Sequence, residues 1–128
     1  MSVAIKCIYD PPDRSDGYRV LVMRFWPRGI RKDRVDVWEK DLGTSPDLIK
    51  AWKGGKIAWA EFSRRYRTEM RSQLCKIADL AELSRTRPVT LLCGCKDETR
   101  CHRILLQQMV AKAAGEKRPA KCRKVEAK

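Results

Sequence analysis

The stretch PVTLLCGCKDETRCHRILL, residues 88–106, decides how this chain is read. Pro88 opens it, and "VTLLCGC" (89–95) is a short, almost wholly apolar, β-prone run. A run of that kind suits a strand covered on both faces. "KDETR" breaks the pattern as a loop, and "HRILLQQMVAKAA" (102–114) has the length and apolar side of a helix. Gly115 can cap its end. A strand, a loop and a helix in this order form one half of a parallel α/β unit.

The other half lies upstream. "VAIKCIY" (3–9) alternates and reads as a first strand, and "DPPDRSDG" reads as a turn. "YRVLVMRF" (18–25) is the second strand, with Val20, Leu21, Val22 and Met23 apolar on both faces. "RVDVWEKDL" (34–42) reads as a helix capped by Asp33. Ser45 and Pro46 fit the cap and first position of the next helix, which "GG" at 54–55 stops. Residues 57–84 read as strongly helical. Trp59, Phe62, Tyr66 and Met70 recur at three and four and are assigned to the core, with Arg64, Arg65, Arg67 and Arg71 largely off that face. The helical crossover between residues 18–25 and 89–95 predicts that these strands pair in parallel. The expected architecture is α/β: a small single domain over 1–114, with a short, mainly parallel sheet packed by helices. A further short strand has room to hide in the loops. Residues 115–128 are polar, basic and free of aromatics, and are expected to be a disordered tail.

Composition narrows the function classes. Lys and Arg number 29 against 16 Asp and Glu, a net charge of +13. The tail carries only part of this excess. Such a charge draws anions such as nucleic acid, nucleotides or phosphorylated small molecules. No apolar run is long enough for a membrane span. The first residues lack the basic and long apolar regions of a secretion signal, so a cytoplasmic chain with reduced thiols is expected. The six cysteines then read as free thiols or metal ligands rather than disulfides.

In a parallel sheet, binding groups gather beyond the carboxyl ends of the strands. One such end carries Arg24, Arg28 and Gly29. The other carries Cys93, Gly94 and Cys95, and its loop delivers Cys101, His102 and Arg103 to the start of the last helix. Unpaired N–H groups and arginine forks there suit phosphate or carboxylate. Cys101, near a helix start and arginines, is read as a candidate thiolate, and His102 as a candidate acid or base. A zinc clip from Cys93, Cys95 and Cys101 or His102 is an alternative. Its C-x-C-x5-C-H spacing departs from the usual C-x2-C pairs, so no metal ligands and no cofactor are assigned. A cysteine phosphatase or sulfurtransferase loop would need Arg at the sixth step from its Cys. That step reaches Thr99 from Cys93 and Cys101 from Cys95, and Arg100 misses both. Cys93 and Cys95 also fit a core strand as small apolar residues. Cys7, Cys75 and Cys122 receive no role.

"RVLVMRFWPRGIRKDRVDVWEKDLGTSPDLIKAW", "WAEFSRRYRTEM" and "PVTLLCGCKDETRCHRILL" resemble the YeaO-like proteins of domain-of-unknown-function family 488 over roughly residues 3–113. The Trp-Pro-Arg-Gly motif is the most specific element. The family usually carries Asp where this chain has Met23, and its typical members often lack the cysteine before the histidine. The resemblance implies a compact α/β fold and points to Arg24, Trp26, Arg28, Lys96, Asp97 and His102, but implies no reaction. Together, the residues and the resemblance predict an anion-binding crevice formed by Arg24, Trp26, Arg28, Lys96, Asp97 and Arg103, with His102 and Cys101 as candidate catalytic groups. The predicted partner is nucleic acid, a nucleotide or a phosphorylated small molecule. A thiol- or zinc-dependent small-molecule enzyme and a non-enzymatic regulatory protein are the alternatives.

Overall fold

The computed structural model describes residues 3–95 and 100–122. Four strands form one parallel sheet: β1 (Val3–Cys7), β2 (Tyr18–Leu21), β3 (Val37–Trp38) and β4 (Val89–Cys93), in the order β1-β4-β2-β3. As the crossover requires, β2 and β4 run side by side in the same direction, with Leu21 opposite Leu92. β1 flanks β4 on the other side and sets Cys7 opposite Cys93. Backbone pairing runs on past the strand ends, from Ile8 N to Cys93 O at 2.9 Å and from Val22 N to Leu92 O at 3.0 Å. The carboxyl ends of three strands therefore share one edge.

Alternation along the strands sends side chains to two apolar layers. Val20, Val22, Val89 and Leu91 face the helices α1 (Pro46–Lys53), α2 (Trp59–Glu69), α3 (Leu74–Ser84) and α4 (His102–Ala114). Leu21, Leu92 and Ile8 face the opposite side, where Met23, Trp26, Ile30 and Val35 cover them. The aromatic stripe of α2 is core: Phe62 and Tyr66 are buried, and the Tyr66 hydroxyl donates to Leu42 O at 2.6 Å. Ser45 caps α1 by accepting from Leu48 N, with Pro46 opening the helix.

Three expectations fail locally. Residues 34–42 do not form a helix. They hold a 3-10 turn at Lys32–Arg34, the edge strand β3, and a second 3-10 turn at Lys40–Leu42. Pairing wins over local propensity here: Asp36 N donates to Arg19 O, and the Asp36 carboxylate accepts from Arg19 N at 2.8 Å. The long helix over 57–84 is two helices broken by a 3-10 turn at Met70–Gln73, which lets Phe62 and Tyr66 from one and Ile77 and Leu80 from the other enter one core. The tail is described as far as Cys122, and there it is held down. Arg118 bridges Asp79 at 2.7 Å and Glu82 at 3.0 Å, and Cys122 forms a disulfide with Cys75. Composition undervalued two acidic residues on α3 placed to receive one arginine. Residues 123–128 lie outside the described residues.

Candidate functional site

At the carboxyl edge of the sheet, a cavity of about 470 Å³ is lined by residues from five segments. Tyr9 follows β1, and Met23, Arg24, Phe25, Pro27 and Arg28 follow β2. Thr44 precedes α1, whose last turn contributes Lys53. Cys93, Gly94 and Cys95 end β4, and His102 opens α4.

The Trp-Pro-Arg-Gly motif shapes one wall. Gly29 has φ 77°, a conformation that disfavours side chains, and so lets the chain turn with Arg28 exposed at its tip. The Tyr9 hydroxyl donates to Arg28 O at 3.0 Å and fixes that turn. Trp26 points away from the cavity: its ring meets Trp38 edge-on at 5.4 Å, and its Nε1 donates to Ile30 O. Gly43 sets the opposite wall. A Cβ there would lie 2.4 Å from Arg24 N, so only glycine lets the two backbones approach this closely. Arg24 donates to Gly43 O at 3.3 Å and stands 3.5 Å from Asp41. This contact seats Thr44 beside Arg24. Among the described residues, the buried Thr44 Oγ1 and Arg24 Nε have no hydrogen-bond partner.

Beneath the cationic rim lies a group of thiols. The sulfurs of Cys93, Cys95 and Cys101 all lie within 4.8 Å of one another, with Cys101 Sγ 3.6 Å from Cys93 Sγ. Hydrogen bonds from Cys101 and then Cys93 hold the Cys95 thiol far below its ordinary range, although burial opposes this. Cys101 is pushed up instead, because it shares its proton with Cys93 and Cys95 and is buried. For Cys93 the hydrogen bond with Cys101 lowers the pKa, but the one with Cys95 and burial prevail and raise it to about 11. Cys95 is half-buried and lines the cavity, whereas Cys101, the sequence candidate, is 2% exposed.

His102 is buried, and its Nε2 lies 2.5 Å from Val22 O. A carbonyl only accepts, so Nε2 carries the proton, and Nδ1 turns its lone pair toward Cys101 Sγ at 3.6 Å. Burial lowers the His102 pKa against the opposing Val22 bond and the Cys95 charge. The folded chain therefore keeps this imidazole neutral at pH values where the unfolded chain protonates it. Stability is present above the unfolded histidine value of 6.5 and is lost as pH falls below it. Denaturant melts from about pH 7.5 to about pH 5.5 should show a loss of about 1 kcal/mol or more. Flat or rising stability over that window contradicts the assignment.

Arg103 does not reach the cavity. It is wholly buried, and its guanidinium donates to Lys6 O at 2.6 Å, Cys95 O at 2.6 Å and Cys93 O at 3.4 Å. It ties the first turn of α4 to the ends of β1 and β4. Of the sequence candidates, Arg24, Arg28 and His102 thus come together, Trp26, Cys101 and Arg103 support the walls, and Lys96 and Asp97 lie outside the described residues. Sequence reasoning missed Tyr9, Phe25, Thr44 and Lys53. Only Lys53 gave a signal, as the cation just before the glycine pair that ends α1.

A family model described as the active DUF488-N3 subclade matches residues 3–114. The chain belongs to this family. It is 38% identical over 108 residues to the uncharacterised protein YeaO of Escherichia coli (strain K12), which covers 83% of this chain and 94% of that protein. It is 34% identical over 110 residues to the uncharacterised proteins Mb3100c of Mycobacterium bovis and Rv3073c of Mycobacterium tuberculosis, covering 84% of this chain and 92% of each relative. No solved structure matches. Among the described residues of this DUF488 protein, no helix is long and apolar enough to cross a membrane.

Proposed function

We propose that the cavity binds the phosphate of a nucleotide unit, free or within a nucleic acid strand. The observation that carries this reading is that Arg24, Arg28, Lys53 and Thr44 line one cavity, with Arg24 Nε and Thr44 Oγ1 buried and unpartnered within its wall. A buried donor without a partner costs about 1–3 kcal/mol, and an anion accepting from it removes that cost. Charge-assisted bonds from arginine forks add to the attraction. Asp41 takes up part of the Arg24 charge, so Arg28 and Lys53 supply most of the field felt by an incoming anion.

The rim favours a nucleotide over bare phosphate. Phe25 is 67% exposed and Tyr9 54% exposed, and both line the cavity. Exposed rings beside cations suit a base stacked next to its own phosphate. The basic face of α2 competes poorly for the same partner, because Arg64 and Arg65 are both tied to Glu61.

Calorimetric titration separates the contributions. Nucleoside monophosphates are expected to bind, and to bind more weakly as salt rises. The matching nucleosides are expected to bind at least about tenfold more weakly, the equivalent of one charge-assisted bond. Equal affinity for nucleoside and nucleotide would remove the phosphate from the reading. Unchanged affinity in Phe25→Ala would remove the base.

A further inference from the structure

We propose that Cys93, Cys95 and Cys101 bind one zinc ion through their three sulfurs, with the fourth coordination position facing the cavity. In tetrahedral zinc–thiolate sites with bonds of about 2.3 Å, two sulfurs stand about 3.7 Å apart. Cys93 and Cys101 already stand 3.6 Å apart, and all three sulfurs lie within 4.8 Å of one another. Three soft ligands at this spacing suit a thiophilic d10 cation far better than magnesium or calcium.

The surroundings agree. Cys93 and Cys101 are buried, whereas Cys95 is half-buried and lines the cavity, giving an entry path for the ion and an open fourth position. Three thiolates around zinc carry one net negative charge, which Arg24 and Lys53, lining the same cavity, accommodate. The imidazole of His102 is already oriented by its Nε2 bond to Val22 O, with Nδ1 next to Cys101 Sγ.

Sequence spacing argued against this site because common zinc patterns bring their cysteines together on tight C-x2-C turns. Here a strand end supplies two ligands and the entry to α4 supplies the third, so the tertiary fold closes the set. The proposal stands independently of phosphate recognition.

The full chain, purified with reductant and dialysed against a weak chelator, is expected to hold one zinc per molecule by elemental analysis. Cys93→Ser, Cys95→Ser and Cys101→Ser should each lose it, and Cys7→Ser should retain it. The wild-type protein provides a second readout that does not depend on a serine variant folding. Cobalt(II) should replace zinc and give the intense sulfur-to-cobalt absorption and visible bands of a tetrahedral site. Arg28→Ala should keep its full metal content even where it loses nucleotide, which separates this site from the anion reading. Wild-type protein that takes up neither zinc nor cobalt, or equal loss of metal in Cys7→Ser, would overturn the proposal.

Discussion

Arg103→Ala is expected to lower the unfolding free energy by about 3–5 kcal/mol, the largest stability effect of any single change near the site. The guanidinium is wholly buried and serves three carbonyls, from Lys6, Cys93 and Cys95. Each bond is charge-assisted, and truncation removes all three from carbonyls that water reaches poorly. It also frees the first turn of α4 from the sheet, so the thiol group and His102 lose their common frame. Against a typical domain stability of about 5–15 kcal/mol, this brings the variant close to unfolding. Lysine is a poor substitute, because one ammonium cannot span two strand ends as a planar fork does. Equilibrium denaturation measures the effect. A change below about 1 kcal/mol would mean that water satisfies these carbonyls and that Arg103 is no clamp.

Reversing charge at the rim should have the largest effect on binding. Arg28→Glu and Lys53→Glu each replace an attractive charge by a repulsive one. Neither side chain is buried or supports the fold, so stability should change by less than about 0.5 kcal/mol. Affinity for a nucleoside monophosphate should fall at least about 30-fold for each, corresponding to roughly 2 kcal/mol. Raising salt should shrink the difference between wild type and variants, because part of it is a screened field. Arg64→Glu, on the exposed face of α2, serves as the control and should change affinity less than about twofold. Comparable losses in all three variants would show that net charge, and not the cavity, governs binding.

Much of the frame is legible in the residues. Apolar runs at 18–25 and 89–95 separated by helical sequence require a parallel pair, and Ser45-Pro46 and Gly54-Gly55 mark the ends of α1. What escaped depends on tertiary partners. The two-residue strand β3 exists because the Asp36 carboxylate and backbone complete the edge of β2, which no local pattern announces. The ordering of residues 115–122 depends on Asp79, Glu82 and Cys75, far away in sequence.

The site divides the same way. Arg24, Arg28 and His102 were legible because they follow strand ends or open a helix. Thr44 was not, because its place depends on how closely Gly43 approaches Arg24. Arg103 has the right chemistry for an anion, but its guanidinium is taken up by carbonyls that only the packed sheet presents. Cys101 was assigned the thiolate from its place before a helix. In the fold its sulfur lies 3.6 Å from Cys93 Sγ, a coupling that no local pattern shows.

The central claim is that an anion is bound at the carboxyl edge of the sheet and not spread over a basic surface. Titrating a nucleoside monophosphate into isotope-labelled protein while following amide resonances tests it most directly. The account predicts saturable shifts concentrated at Arg24, Phe25, Arg28, Thr44, Lys53, Gly94 and Cys95. Shifts centred on Arg64, Arg65, Arg67 and Arg71, or spread evenly and without saturation, would contradict it.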